Sequence, residues 1–329
     1  MEIMNNSIKF LINKDENGKR LDLFLSKKIE HVTRSFIKKM IDIGNVKING
    51  KLTNSASKKI KENDNISIKL LNNEIKNLKP AKIKLSIKFE DNDILVVNKP
   101  SGMVVHPGAG NYDNTLANAL VYKYKDKLSD INGELRPGIV HRIDKETSGL
   151  LVVAKNNLSH SNLGKQFSDH TIKRKYITLI WGVIRPLTGT ITTLISRNKK
   201  YRQLMTVSDV SGKKAITNYK TLKVFNIQDI PKISLIECKL ETGRTHQIRV
   251  HMQYKGTSIL GDKQYGKKNI KFKKINKEFE KNLSILNGQA LHAKSIGFSH
   301  PVTKKIVNFE SELPLDFKKL LNLLEKLSD

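Results

Sequence analysis

Two short segments hold most of the reactive side chains in this chain. The first is Gly138-Ile139-Val140-His141-Arg142-Ile143-Asp144-Lys145-Glu146-Thr147-Ser148-Gly149-Leu150-Leu151-Val152, a charged loop pinned between two apolar runs. Loops held by rigid strands are where catalytic groups concentrate. Asp144 stands beside Arg142 and Lys145, with His141 nearby, and cationic neighbours favour the carboxylate form. Such an aspartate is available as nucleophile or base at neutral pH. A structural ion-pair loop is the competing reading. The second segment is Leu240-Glu241-Thr242-Gly243-Arg244-Thr245-His246-Gln247-Ile248-Arg249-Val250-His251. Thr245 is a natural helix N-cap, which would place exposed amides at a helix start, suited to an RNA phosphate. His246 and Arg249 would share one face of that helix, with Ile248 and Met252 toward the core. Arg249 would then be a rigidly mounted guanidinium able to fork onto a carboxylate. An amphipathic surface helix would show the same spacing. Between the two segments, Lys173-Arg174-Lys175-Tyr176 enters an apolar strand containing Trp181. An aromatic ring among cations suits stacking on an extruded base, although most tyrosines at strand starts are core or rim residues.

Hydrophobic patterning supplies the elements that must position these groups. Strands are expected at Ile94–Asn98, Leu150–Ala154, Tyr176–Val183, Ile233–Leu240 and Leu291–Phe298, and helices at Leu158–Ser168, Thr245–Met252 and Leu315–Leu327. They do not alternate strictly, so an α+β fold with a mixed sheet is expected rather than a doubly wound one. This larger domain spans 85–329. Ahead of it, 73–84 is polar, contains Pro80 and reads as a linker. Residues 1–72 read as a small helix–helix–hairpin unit. Leu21, Phe24, Leu25 and Ile29 have a helical period; Thr33 can cap a second helix carrying Phe36, Ile37, Met40 and Ile41, which Gly44 ends. Asn49-Gly50 is a strong two-residue hairpin turn after Val46-Lys47-Ile48, and Asn65–Leu70 alternates like a closing strand. Arg20, Arg34 and Lys38 are the candidate RNA contacts of this head. The lysine-dense stretch from Lys263 to Lys281 is either solvated surface or a further RNA contact.

Bulk properties narrow the partner. The chain has 329 residues, 60 Lys and Arg against 31 Asp and Glu, and a formal net charge of +29. That excess points to a polyanion, most simply nucleic acid, although abundant Lys, Asn and Ile make codon bias part of it. Cys238 is the only cysteine, which excludes an internal disulfide and a cysteine metal cluster and fits a reducing cytoplasm. No run approaches the roughly 20 apolar residues of a membrane span. The polar N-terminus resembles neither a signal nor a transit peptide.

These residues also carry a resemblance. The head, through Arg20-Leu21-Asp22, Phe24-Leu25, Thr33-Arg34-Ser35, Gly44-Asn45-Val46 and Asn49-Gly50, resembles the alpha-L RNA-binding module of ribosomal small-subunit proteins. The larger domain resembles the RluA family of pseudouridine synthases. The match runs from Val97-Asn98-Lys99-Pro100-Ser101-Gly102 and His106-Pro107-Gly108 through His141-Arg142-Ile143-Asp144, Thr147-Ser148-Gly149 and Lys175-Tyr176. It continues in Thr242–His251, Gly261-Asp262, Tyr265-Gly266, Leu291-His292-Ala293 and His300-Pro301. The family usually has Leu where Ile143 stands, which keeps the apolar character. The resemblance implies a mainly antiparallel mixed sheet and an RNA isomerase needing neither cofactor nor metal. It makes Asp144 the essential catalytic residue, with Arg142 filling the space the uridine vacates, Tyr176 packing against the flipped base and Arg249 pairing with Asp144. His141 and Arg244 would support the site. The head together with His106–Asn111 is most like the D-type branch, which acts on large-subunit (23S) ribosomal RNA; the C-type branch shares the architecture. The implied partner is ribosomal RNA, in the large subunit or its precursor. A monomer is the default expectation, and nothing in the sequence fixes the oligomeric state. Two rivals stand beside this reading: a hydrolase, which would want a second carboxylate, and a non-catalytic RNA-binding protein, which leaves the Asp144 loop unexplained.

Overall fold

The computed structural model describes residues 2–4, 7–29, 34–69, 78–108, 111–125, 127–133, 135–228, 230–266, 277–286 and 288–328. The chain divides into two compact units, Met1–Asn77 and Leu78–Asp329.

The first unit comprises β1 (Glu2–Met4), β2 (Ser7–Leu11), α1 (Leu21–Lys28), α2 (Arg34–Asp42), β3 (Val46–Ile48), β4 (Lys51–Leu52) and β5 (Asn65–Lys69). Its antiparallel sheet has the order β1-β2-β5-β3-β4. The helical periods bury Leu21, Phe24, Leu25, Ile37, Met40 and Ile41 against Ile8, Val46, Ile60, Ile66 and Ile68. Asn49 and Gly50 have φ of 51° and 78°, the paired positive values that a two-residue hairpin requires. Thr33, Leu70 and the side chains of Phe36 and Lys39 lie outside the described residues.

Residues 70–77 lie outside the description as well, whereas Leu78–Lys84 is held by the second unit. Leu78 is buried in that unit's core, and Asn118 binds the carbonyl of Lys79 and the amide of Ala81. Its strands are β6 (Ser86–Glu90), β7 (Ile94–Lys99), β8 (Ser148–Ala154), β9 (Lys173–Trp181), β10 (Thr188–Arg197), β11 (Met205–Ser208), β12 (Lys213–Phe225), β13 (Ile233–Leu240), β14 (Leu291–Ser299) and β15 (Ile306–Glu310). They form one sheet in the order β11-β10-β12-β13-β9-β14-β8-β7-β6, with β15 also on β14. Every pairing is antiparallel except β14 on β8, so the sheet is mixed and mainly antiparallel. The helices are α3 (Leu116–Tyr124), α4 (Asn157–Ser168), α5 (Gln247–Tyr254), α6 (Lys277–Ile285) and α7 (Leu315–Leu327). The fold is α+β.

Alternation in β7 and β8 feeds two cores. Leu95, Val97, Leu151 and Val153 pack with Leu120, Leu179, Ile236, Leu320 and Leu324. Ile94, Val96, Leu150 and Val152 pack on the other side with Leu163 of α4, Ile296 and Phe298. Both faces of β8 are therefore covered, which is why its sequence reads as a continuous apolar run. At its start, Gly149 has φ 114°, and a Cβ there would strike the Ala293 carbonyl. Only glycine lets β8 close on β14 beside the reactive loop.

Candidate active site

The loop before β8 is fixed from several sides. Thr147 N–H donates to the Asp144 carbonyl at 3.1 Å, closing a turn. Gln289 Nε2 donates to Thr147 Oγ1 at 3.0 Å, and Ser101 Oγ to the Glu146 carbonyl at 2.9 Å. Lys99, wholly buried, donates to the carbonyls of Pro100, Met103 and Lys145 at 2.8, 2.8 and 2.9 Å. Burial pushes its ammonium down to about 7 against the pull of Asp144. Three carbonyl acceptors still suit the ammonium, because a neutral amine has only two hydrogens for them.

His141 serves the same scaffold. Its Nε2 accepts Val152 N–H at 3.0 Å, and its ring lies 4.5 Å from that of Phe167. Burial, aided by the charge of Arg174, pushes it down to about 3. It is a neutral fastening of the loop to β8, not a cation beside Asp144. Arg142 is exposed, and its Nη1 donates to His106 Nε2 at 3.2 Å. Burial and the neighbouring arginines hold His106 neutral, pushed down to about 4, so this imidazole can accept.

Asp144 meets the second segment. Its Oδ2 accepts from Arg249 Nη1 at 3.0 Å, and its Oδ1 lies 3.9 Å from His246 Nε2. The Arg249 side chain is only 4% exposed. Its Nε and Nη2 grip Asp262 Oδ2 and Oδ1 at 2.7 and 2.9 Å, Nη2 also reaches Gln264 Oε1 at 2.8 Å, and its guanidinium lies over Tyr265 at 4.8 Å. Burial works to lower its pKa, but Asp262 and Asp144 overcome that and raise it. Asp262 is the partner that sequence reasoning left without a role. Burial disfavours its charge, and the fork of Arg249 with the amides of Gln264 and Tyr265 holds the carboxyl below its ordinary range. Its visible signal was an aspartate in a turn between Gly261 and Gly266.

The start of α5 differs from the expected cap. His246, not Thr245, occupies the capping position, with φ 57° and no side-chain cap bond. Gln247 performs the task instead: Oε1 accepts Arg244 N–H at 2.9 Å and the Thr242 hydroxyl at 2.8 Å, while Nε2 donates to the Ile216 carbonyl and to Thr217 Oγ1. His251, one turn later, bonds Thr217 and Thr193, each at 2.9 Å. Gln247 and His251 thus fasten α5 to β12 and β10, leaving Arg249 directed at Asp144. The left-handed turn brings His246 to Asp144 as well. Tyr265 OH accepts Met205 N–H and shares a hydrogen bond with His246 Nδ1 at 2.8 Å, which orients the imidazole with Nε2 toward the carboxylate.

Asp144 opens onto a cleft of about 280 Å³ lined also by Arg142, Ile143, Phe167, His170, Arg174, Tyr176, Gly243, Arg244, Ile248 and Leu291, among others. Tyr176 is 7% exposed on β9, beside Cys238 of β13 and Ala293 of β14. Arg244 donates through Nε to the Lys214 carbonyl at 2.9 Å. All six residues expected at the site therefore line one cavity.

In the head, Asp22 is buried and accepts Arg20 through Nε and Nη2, each at 3.1 Å, and Arg34 Nε at 2.8 Å. Both arginines stay half-exposed and line a concavity with Lys38, Asn54, Ser55 and Ser57. Most of the lysine stretch, residues 267–276, lies outside the described residues.

A cleft with a guanidinium-paired aspartate on a mixed sheet, preceded by a basic module, suits an enzyme that acts on RNA. Residues 93–254 match the RNA pseudouridylate synthase family, and residues 19–66 the S4 domain. The chain is 46% identical over 310 residues to "Ribosomal large subunit pseudouridine synthase D" of Zymomonas mobilis, covering 93% of this chain and 94% of the relative. It is 39% identical over 312 residues to the protein of that name from Buchnera aphidicola, covering 94% and 95%. The fold is shared with human RNA pseudouridylate synthase domain containing 4, at TM-score 0.55 and 23% identity, over 73% of this chain and 93% of that one. The chain belongs to the RluA-type RNA pseudouridine synthases, carrying an S4 domain ahead of the catalytic one.

Proposed function

We propose that this synthase isomerises uridines of large-subunit (23S) ribosomal RNA, with Asp144 as the catalytic carboxylate, without a cofactor and with the head anchoring the RNA. The substrate assignment rests on relatives of that name aligned over nearly the whole chain. The catalytic assignment rests on one observation: Asp144 is the carboxylate that opens into the cleft, with Arg249 bonded to it at 3.0 Å.

The reaction breaks the bond from N1 to C1′, turns the uracil and joins C5 to C1′. The C5 proton is released and N1 gains one, so nothing is oxidised or hydrolysed. Asp144 serves either of two routes, attacking C1′ or removing the C2′ proton to give a glycal. Tyr176, Ile143 and Leu291 would retain the detached base. Everting a nucleotide costs a few kcal/mol, and Arg142, exposed and hydrogen-bonded to His106, would enter the stack it leaves. Against the hydrolase reading, Asp144 is the one carboxylate among the described residues lining the cleft, and Asp262 is engaged by Arg249 and two amides.

Asp144→Ala and Asp144→Asn should abolish pseudouridine formation while leaving RNA binding largely intact. The measurement is carbodiimide-dependent reverse-transcription stops on ribosomal RNA. Retained turnover in either variant removes Asp144 from the mechanism; strand scission or free uracil would favour the hydrolase.

A further inference from the structure

The arginines of the cleft differ in how they are satisfied. Arg249 faces two carboxylates. Arg174 and Arg244 make no ion pair among the described residues, although both line the same cavity. Arg174 projects from β9 two residues before Tyr176. Its guanidinium lies over the Phe167 ring at 5.5 Å, its Nη2 has only a long 3.5 Å contact to the Glu241 carbonyl, and its Nε is buried with no partner. A buried donor without an acceptor is costly, and here it belongs to a guanidinium that makes no ion pair among the described residues.

The opposite wall leaves room for this group. A Cβ on Gly243 would stand 2.6 Å from Arg174 Nη1, so any side chain there makes the guanidinium shift. The next residue, Arg244, enters the cavity with its Nε already committed to a carbonyl, which leaves its Nη groups as donors. His170 completes this part of the lining. Two guanidiniums on the lining of one cavity, one lying over an aromatic face, offer donors suited to a phosphodiester.

We propose that Arg174 and Arg244 clamp a backbone phosphate of the RNA strand adjoining the nucleotide held at Asp144. The inference rests on the cleft being the substrate site. The clamp fixes the strand's register, so that the everted base arrives over Tyr176 with its ribose at Asp144. Arg174 is a binding and positioning residue that takes no part in the bond exchange.

The test uses the full-length protein and an RNA hairpin of large-subunit sequence that the wild type modifies. Dissociation constants are measured across salt concentrations, with KM and kcat taken in parallel. Arg174→Met should raise Kd and KM about tenfold. It should also flatten the plot of log K against log salt by about 0.7, the value for one lost single-strand phosphate contact. Arg174→Lys should keep that slope while losing part of the affinity. Gly243→Ala, which makes the guanidinium shift without removing its charge, should keep the slope and raise KM less than Arg174→Met does. A fold defect alone would lower the active fraction without changing the slope. An unchanged slope in Arg174→Met, or a loss confined to kcat, overturns the clamp. Retained turnover in Asp144→Asn refutes the catalytic reading and leaves the slope result standing.

Discussion

Arg249 is one cation shared between two carboxylates, Asp144 and Asp262. In the proposed reaction this arrangement suits positive charge developing at C1′, because a carboxylate held in place beforehand needs no reorganisation at the moment of reaction. Asp262 is the residue on which it depends. Its side chain is fully buried and grips Arg249 through two hydrogen bonds. In Asp262→Asn the guanidinium loses its charged fork and pulls harder on Asp144 alone. Breaking a buried pair costs about 3–5 kcal/mol, and a misplaced reacting group costs on the order of 100-fold in rate. Urea unfolding should show the first loss and single-turnover kinetics the second. Arg249→Lys should also lose rate, since an ammonium keeps the charge but cannot fork between the two acids. Wild-type turnover in Asp262→Asn would show that Arg249 does not need its second partner.

At the level of elements, α5 and β14 are each held by a buried histidine. His251 joins α5 to Thr217 and Thr193, and His292 bridges Ser148 and Ser311 across β8 and β14. Burial pushes both down to about 4, from an ordinary value of 6.5. Below 6.5 the unfolded chain takes up protons that the folded chain refuses, so unfolding gains with each step toward acid. The stability these residues confer is complete above pH 6.5 and is lost as pH falls toward about 4. Melting temperatures measured between pH 7.5 and 4.5 should fall across that window. His251→Gln and His292→Gln should melt lower at pH 7.5 but fall less steeply, and an equally steep fall would assign the acid sensitivity elsewhere. Much of this framework was legible in the sequence. The buried runs gave β7, β8, β13 and β14 nearly to the residue, and the period of Leu315–Leu327 gave α7. The strands β10–β12, at one end of the sheet, were missed because Thr, Lys and Ser dilute their alternation, and a half-exposed strand leaves a weaker trace than a buried one. The pairing of Arg249 with Asp144 was legible through resemblance. The cap at α5 was misread because a helix start satisfied by Gln247 from inside the helix looks, in sequence, like a threonine cap. The fastening role of His141 depends on Val152, a backbone donor that no side-chain pattern records.

The whole chain carries its +29 charge over two units with separate cores. A protein beginning at Leu78 should therefore fold, because its core draws on no residue of the head. It should bind ribosomal RNA more weakly and with a shallower salt dependence, having lost the contacts proposed for Arg20, Arg34 and Lys38. Circular dichroism and salt-titrated binding would check both points, and loss of cooperative unfolding would count against the division. The sheet itself has a further consequence. β14 lies between β9 and β8, yet it follows them by more than a hundred residues in the chain. Domains on the ribosome emerge from the N-terminal side at about 5–20 residues per second, and contacts between distant segments form slowly. Until that late strand is inserted, the cavity has neither its Leu291 floor nor a neighbour for Gly149. A nascent chain thus passes through a stage in which its basic head is complete and free to hold RNA while its catalytic half is still unassembled.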